Sequence, residues 1–398
     1  MKKALEDLVV LDFTRYIAGP YATFYLAQMG AYVIKVEKAV VGDDLRLYPP
    51  INNGESLAYP TYNFLKRSLS MDLRNETAKD ILIKLLPHVD IITQNYRAGT
   101  IEKMGFDWET IHQINPRLIM ANNSGFGQNG PYARRLAFDS IIQSEAGIVN
   151  TVAEDSGGVP YYPGGNLSDH MGALYYAAAI LAAVNQRDRT GEGQYLEVDM
   201  MSASAAMLSP ELCLVGATGC PAKAETLAPC DFYRDKNGKY LQISCPEAHW
   251  EDLKALLNDP GLEAEAFSSF EGRIDHRDEL NSIVQKWVGT QEGEQLWKLL
   301  ESKGIGAGVV RDYPDILKNE HVRASGYFKK VEVPYIGTAP FPEMPITLSS
   351  TPSEYKRAPK LGENNEEVLD RFLGISSEEA GKLKENNVLY YSEHARWK

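Results

Sequence analysis

Cysteine is scarce in this 398-residue sequence, and the residues present form no recognisable pattern. They include no Cys-x-x-Cys pair and no spacing typical of a zinc site, so we expect no metal centre. We expect free or buried thiols in a reducing compartment rather than a disulfide framework. The four cysteines are Cys213, Cys220, Cys230 and Cys245.

Excess positive charge and long apolar runs are also missing. The 41 Lys and Arg residues face 54 Asp and Glu residues, a formal net charge of −13, which argues against a nucleic-acid partner. No unbroken run of about 18 apolar residues occurs, so we expect no membrane-spanning segment and no membrane partner. Glu6 and Asp7 lie where a signal peptide would carry its apolar core, which predicts a cytoplasmic protein.

What is present indicates a folded chain with more than one domain. Hydrophobic residues make up 44% and charged residues 24% of the sequence, both ordinary for globular proteins. A chain of this length is expected to form two domains. We predict a first domain over residues 1–216, a linker over 217–230 that is rich in Gly, Pro, Ala and Cys, and a small α+β domain over 231–330. Residues 331–398 should contain a proline-rich extended stretch at 340–359 and then helices.

The first forty residues predict the class of the first domain. Residues 8–13 form a short apolar run, a helix is predicted from Pro20 to Met29, and residues 31–37 form a second apolar run. Strand, helix and strand in this order make a βαβ unit, so we expect a parallel sheet wrapped by helices. Further strands are predicted at 89–94, 118–122 and 194–199. The first turn lacks Gly-x-Gly-x-x-Gly, which argues against a nicotinamide-dependent enzyme.

The sequence between residues 163 and 183 carries the strongest local signal. A glycine-rich turn, Gly164-Gly165, leads into Asn166, Ser168 and Asp169, and an Ala-rich run follows that predicts a buried helix. One interpretation is that Ser168 or Asp169 is the N-cap of this helix. The other is that Asp169 is a reactive carboxylate at the start of the helix. The local pattern leaves both interpretations open.

Cations flank a predicted strand at residues 68–73. Lys66 and Arg67 precede the strand and Arg74 follows it. They could belong to a solvated edge strand, or they could form a phosphate grip, because Arg and Lys at a strand end can bind a polyanion. The pattern alone does not separate these two hypotheses.

Several stretches together resemble the class III CoA-transferases, the family that includes formyl-CoA transferase, the carnitine CoA-transferases and the α-methylacyl-CoA racemases. The resemblance implies a Rossmann-like large domain, a small α+β domain and an interlocked homodimer. It also implies that residues 331–398 return to pack on the large domain. The matching stretches are residues 10–14, 18–20, 30–37, 66–68, 72–74, 125–131, 190–194 and 358–363.

The resemblance also implies the chemistry. Asp169 occupies the place of the family's nucleophile, which carries CoA from an acyl-CoA thioester to a small carboxylic acid through a mixed anhydride and an aspartyl-CoA thioester. No cofactor beyond CoA itself and no metal is implied. The positions that would line the CoA groove are Ile17, Ala18, Lys38, Met71, Arg74, Asn95, Tyr96, Arg97, Lys103 and, beside a family contact position at Leu136, Arg135.

Two other functions stay open at this point. An α-methylacyl-CoA racemase would share the fold, but it moves a proton with a His and an Asp, and the place of the His holds Phe138. Phenylalanine cannot carry a proton. His170 follows Asp169 directly and is interpreted as a residue of the helix start. A non-catalytic CoA-binding protein is the second alternative.

Overall fold

The computed structural model describes residues 3–52, 55–155, 158–219, 227–333 and 337–391. Its strands are β1 (Val9–Asp12), β2 (Tyr32–Lys38), β3 (Ile51–Asn52), β4 (Glu55–Ser56), β5 (Arg67–Met71), β6 (Ile91–Gln94), β7 (Ile119–Ser124), β8 (Tyr195–Asp199), β9 (Cys230–Arg234), β10 (Tyr240–Ser244), β11 (Gly306–Val309), β12 (Phe328–Val333) and β13 (Gly337–Pro342). Its α-helices are α1 (Ala18–Gln28), α2 (Ala58–Asn63), α3 (Glu76–Leu85), α4 (Thr100–Lys103), α5 (Trp108–Ile114), α6 (Asp139–Glu145), α7 (Ile148–Asp155), α8 (Leu167–Thr190), α9 (Met200–Met207), α10 (Ser209–Thr218), α11 (Trp250–Leu257), α12 (Phe270–Asp275), α13 (Arg277–Val288), α14 (Gly293–Glu301), α15 (Tyr313–Lys318), α16 (Glu320–Ala324), α17 (Asn365–Leu373) and α18 (Ser377–Glu385).

The chain forms two compact units, residues 1–212 with 326–398, and residues 213–325. The first unit contains a six-stranded sheet in the order β5-β2-β1-β6-β7-β8, in which all neighbouring strands are parallel. The predicted α/β class with a parallel sheet is therefore confirmed. The chain builds the sheet outward from β1 in one direction and from β6 in the other. In open α/β sheets, ligands bind beyond the carboxyl ends of the strands at such a switch point.

Apolar side chains cover both faces of this sheet, because alternate residues of each strand point to opposite faces. Val10, Ile91 and Ile119 pack on one side with α1 and α8. Their neighbours Leu11, Ile92 and Met120 pack on the other side with α3, α5 and α17. The helix that begins near Asp169 thus covers one face, and α3 covers the opposite face.

Helix α8 has the length and composition of a membrane-spanning helix, with a mean hydropathy of 1.2. The absence of an unbroken apolar run did not predict this property. The inner side of α8 belongs to the core of the sheet, because Ala173, Tyr176 and Ile180 are fully buried there. Leu174 and Tyr175 on its outer side are 47% and 46% exposed.

Strand β5 lies at the edge of the sheet, but it is not the solvated strand that its alternating sequence suggested. Ser68, Leu69, Ser70 and Met71 are all buried, because the C-terminal part of the chain covers them. The side chain of Asn365 accepts the main-chain N–H of Ser70 at 2.8 Å. Met71 also forms an antiparallel bridge with Leu389.

The second unit has its own core around an antiparallel sheet in the order β11-β10-β9. Strands β9 and β10 form a hairpin, paired across the turn that contains Asn237 and Gly238. Leu253 of α11, Val284 of α13 and Leu296 of α14 pack against this sheet. The predicted linker includes the end of α10 and the first residue of β9, and its residues 220–226 lie outside the described residues. Cys213, Cys230 and Cys245 are free thiols, and Cys220 is not described.

Candidate active site

The start of α8 is unusual because no local side chain caps it. The N-cap residue is Asn166, in a left-handed conformation with φ 48° and ψ 45°, and its side chain makes no capping hydrogen bond. Gly164 and Gly165 also have positive φ angles of 80° and 70°, which glycine adopts without strain. The interpretation of Ser168 or Asp169 as the N-cap is therefore wrong, because both lie inside the first turn of the helix.

The capping carboxylate comes instead from another helix. Asp139, the first residue of α6, accepts the main-chain N–H of Asp169 on Oδ1 at 3.1 Å. Its Oδ2 accepts a hydrogen bond from the Tyr162 hydroxyl at 2.6 Å and another from Gln143 Nε2 at 2.7 Å. Asp139 was not among the residues predicted for the site. The available signal was the i, i+4 spacing of Asp139 and Gln143, which places both side chains on one face.

The Asp169 carboxylate lies in a poorly solvated and electronegative setting. Burial raises its pKa to about 7, and the negative charge of Asp139 adds to this effect. The main-chain N–H of Ala18 donates a hydrogen bond to the carboxylate and opposes the shift. Ala18 is the first residue of α1, so the positive end of that helix dipole faces Asp169. Two residues predicted as site residues, Ala18 and Asp169, are thereby in contact.

Aromatic side chains surround the first turn of α8. The rings of Tyr21 and His170 meet edge to face at 4.6 Å. The Tyr62 hydroxyl lies 3.5 Å from Nε2 of His170, and Nδ1 of His170 lies 3.1 Å from the carbonyl oxygen of Gly165. This network assigns the proton to Nδ1, which donates to Gly165, and leaves Nε2 to accept from Tyr62. Burial, with a contribution from the Asp169 charge, raises the pKa of Tyr62 to about 12.

Beyond the ends of β1, β2 and β6, polar side chains fix the loop that leads into α1. Asn95 accepts the main-chain N–H of Arg15 at 2.8 Å and donates to the carbonyl oxygen of Arg15 at 2.7 Å. Lys38, at the end of β2, and the Arg15 guanidinium both pair with Asp44. Ile17 is the N-cap residue of α1. The predicted residues Ile17, Lys38 and Asn95 therefore lie along one edge of the sheet.

The sequence of the whole chain was compared with models of known protein families. A sequence model of CoA-transferase family III matches residues 5–365. The chain belongs to CoA-transferase family III. The family assignment made from the sequence is thus confirmed, and so is the expectation of an enzyme of this class.

Curated relatives and a solved structure agree with this family. The succinyl-CoA–L-malate CoA-transferase alpha subunit of Chloroflexus aurantiacus is 31% identical, over 97% of this chain and 92% of that protein. The succinyl-CoA:mesaconate CoA-transferase of Haloarcula hispanica is 33% identical, over 92% of this chain and 96% of that protein. A CAIB/BAIF family protein from Brucella suis superimposes with a TM-score of 0.82 at 27% identity, covering 94% of this chain and 100% of that chain.

The remaining predicted CoA-binding residues of this family III chain lie in different environments. Met71 is fully buried at the end of β5. The Arg74 side chain is 86% exposed and pairs with Asp72 at 3.0 Å. Arg135 pairs with Glu145 at 2.6 Å and lies over the rings of Phe126 and Tyr132. Tyr96 is half-buried, whereas Arg97 and Lys103 are exposed. Their contact with CoA stays a prediction.

Lys66 and Phe138, on which two of the sequence hypotheses depended, lie in contrasting environments. Lys66 is buried, and its Nζ donates to Asp12, to Thr23 and to the carbonyl oxygen of Pro20. It cannot reach a polyanion, so its place in a phosphate grip is wrong. Phe138 is 50% exposed next to Asp139 and offers no base.

Among the described residues, no group of three or more His, Cys, Asp or Glu side chains could hold a metal ion.

Proposed function

We propose that this chain transfers CoA from an acyl-CoA thioester to a carboxylic acid, with Asp169 as the covalent carrier. The observation that carries the proposal is the setting of Asp169. It lies at the start of α8, receives the first N–H of α1, and has a pKa raised to about 7 by burial and by Asp139. No ion pair to Asp169 occurs in the described part of the chain. A poorly solvated carboxylate without a counter-ion is a reactive nucleophile.

The reaction conserves charge and bonds at each step. A carboxylate oxygen of Asp169 attacks the thioester carbonyl, the C–S bond breaks, and CoA leaves as a thiolate from a mixed anhydride. The thiolate then attacks the Asp169 carbonyl carbon, the C–O bond breaks, and the donor acid leaves as a carboxylate. The acceptor carboxylate reverses the two steps on the resulting aspartyl-CoA thioester. Every intermediate keeps the acyl-transfer potential, so the sequence needs neither ATP nor a metal.

The first turn of α1 lies where it could stabilise the negative charge that develops during these steps. The N–H of Ala18 stabilises the charged form of the Asp169 carboxylate and so opposes the effect of burial on its pKa. Negative charge develops on the oxygens of the two carbonyl groups that are attacked, and fixed N–H groups stabilise such charge without reorganising. We therefore propose the first turn of α1 as one source of oxyanion stabilisation. Ile17 and Ala18 would then serve both CoA binding and catalysis.

The names of the relatives support a proposal for the substrate class. Proteins named for transfer from succinyl-CoA to L-malate and to mesaconate match nearly the whole chain. We propose succinyl-CoA as the donor and a dicarboxylic acid as the acceptor. Acyl exchange between CoA thioesters and carboxylic acids, followed by mass spectrometry of the new thioester, tests this directly. Binding of the thioester without a new thioester from any acid would instead favour the CoA-binding alternative.

We also propose that the chain works as an interlocked homodimer. Helix α10 is largely apolar, yet none of its residues is buried, and Leu174 and Tyr175 of α8 are exposed as well. Apolar surface of this extent marks protein contacts. The related malate enzyme of Chloroflexus aurantiacus has subunits named alpha and beta, so a different partner chain is the competing outcome. Light scattering of the purified chain separates a dimer from a monomer that lacks its partner.

A further inference from the structure

Two aspartates on different helices, Asp139 and Asp169, lie together at the start of α8. Asp139 of α6 accepts the main-chain N–H of Asp169 at 3.1 Å. Its charge is one of the two causes that raise the pKa of the Asp169 carboxyl. In the described ranges neither side chain forms an ion pair. Like charges that face each other in a poorly solvated place repel strongly.

Building on the covalent mechanism proposed above, we propose that Asp139 is a positioning residue that destabilises the free Asp169 carboxylate relative to its acylated form. When Asp169 attacks a thioester, the new C–O bond neutralises Asp169 and the negative charge leaves with the CoA thiolate. Repulsion from Asp139 acts on the free anion and not on the neutral anhydride or thioester. The interaction therefore differs between reactant and intermediate, which is the condition for it to promote the step.

The surroundings hold Asp139 where this repulsion cannot be relieved. Tyr162 and Gln143 both donate to its Oδ2, at 2.6 Å and 2.7 Å. The same Nε2 of Gln143 also lies 3.4 Å from the carbonyl oxygen of Gly164, so α6 and the glycine turn are joined. Asp139 is 7% exposed and accepts hydrogen bonds on both oxygens. It therefore stays beside Asp169 in both charge states of that residue.

The substitution Asp139→Asn tests the charge with little change of shape. It keeps an oxygen that can accept the N–H of Asp169. Gln143 Oε1 is buried and makes no hydrogen bond within the described structure, so rotation of that amide supplies an acceptor for the new NH₂ group. The matched control is Asp80→Asn, which removes the same charge from an exposed position on α3, across the sheet from α8.

The measurement is the yield of hydroxylamine-trapped Asp169 with donor acyl-CoA and a fixed concentration of free CoA, followed across the pH range around 7. In Asp139→Asn we expect the midpoint to fall by about one pH unit and the yield above the midpoint to fall several-fold. Asp80→Asn should change neither. The charge of Asp169 also acts on Tyr62 and Tyr162, and His170, the next residue in the chain, contacts Tyr62; these groups are the same in both variants.

An unchanged midpoint and an unchanged yield in Asp139→Asn would overturn the proposal. Asp139→Glu keeps the charge and is expected to keep the parent midpoint even where its turnover falls. A midpoint for Asp139→Glu equal to that of Asp139→Asn would assign the effect to geometry and would also overturn the proposal. Lack of any label on Asp169 in the parent enzyme would contradict the covalent mechanism itself, a failure distinct from an effect seen only in the variants.

Discussion

Two aspartates in the same unit of the chain, the fully buried Asp12 and the half-buried Asp169, have opposite properties. Burial alone would raise the pKa of Asp12, but Lys66 and Lys35, with two threonine hydroxyls, outweigh it and hold the pKa well below the usual range. Burial raises the pKa of Asp169 to about 7, and its charged neighbour, Asp139, contributes to the same shift. The side-chain type is the same, so the sign of the neighbouring charges makes the difference.

The comparison separates a structural cluster from a reactive site. Asp12 pairs with Lys66 at 3.1 Å, and Lys66 also holds the carbonyl oxygen of Pro20 and thus the first turn of α1. Nearby, Arg46 forms two hydrogen bonds of 2.7 Å to Glu37. The carboxylates of Asp12 and Glu37 are therefore stabilised as anions by their ion pairs, and a reaction that neutralised them would lose those interactions. Asp169 has no such partner among the described residues and can lower its energy by becoming neutral.

The largest effect is expected at the reactive site. Asp169→Asn should lower CoA transfer by at least about a thousandfold, because an amide cannot carry CoA, while Asp80→Asn retains parent activity.

The same substitution should change how stability depends on pH. In the folded parent protein the pKa of the Asp169 carboxyl is raised, so its contribution to stability is full below pH 3.8 and is lost as the pH rises through about 7. The amide of the variant does not titrate and has no such loss. The unfolding free energy of the variant relative to the parent should therefore increase across that window, as denaturant titrations would measure. Normal turnover of Asp169→Asn would contradict the reactive role of Asp169. A difference in unfolding free energy that does not depend on pH would contradict its raised pKa.

The next effect concerns the structural cluster. Lys66→Met should lower the free energy of unfolding by about 3–5 kcal/mol, because it removes a partner of the buried Asp12 charge. Adding Asp12→Asn to this variant should restore part of the loss, since the unpaired charge is then gone. Chemical denaturation of the parent, both single variants and the double variant measures this coupling. If the two losses simply add, the ion pair is not what stabilises the cluster.

Substitutions of the exposed cations predicted to bind CoA should have the smallest effect of the three groups of variants. Arg74→Ala and Lys103→Ala should each raise the KM for CoA thioesters several-fold at low ionic strength. The effect should shrink as salt is added, because salt screens exposed charges over about 10 Å. Lys84→Ala, an exposed lysine on α3, is the matched control. Unchanged KM values for both variants would mean that the phosphates of CoA bind elsewhere.

Local sequence pattern was sufficient for the elements and their order. The apolar runs predicted β1 and β2, and Asn237-Gly238, which lies between β9 and β10, is a dipeptide typical of a hairpin turn. The glycine-rich turn predicted the start of α8 and placed Asp169 there. These features depend on residues that are close in sequence, where periodicity and turn chemistry act directly.

Contacts between distant residues could not be read in this way. Asp139 caps α8 from thirty positions earlier in the chain, so a local search for an N-cap found the wrong residues. The alternation in β5 suggested a solvated edge because the cover, Asn365 and Leu389, comes from the far end of the chain. The sequence around Lys66 was compatible with an exposed cation, because its partner Asp12 is distant in sequence and comes close only in the folded chain.

The most direct test of the account is the chemical identity of Asp169 during turnover. Donor acyl-CoA is added without acceptor, and hydroxylamine or borohydride is then added to convert an acylated aspartate to a hydroxamate or an alcohol. Mass spectrometry of the peptide that contains Asp169 reads the result. A covalent role for Asp169 predicts a mass shift that maps to Asp169 and requires the donor. An unchanged peptide, with a donor shown separately to be productive, would contradict it.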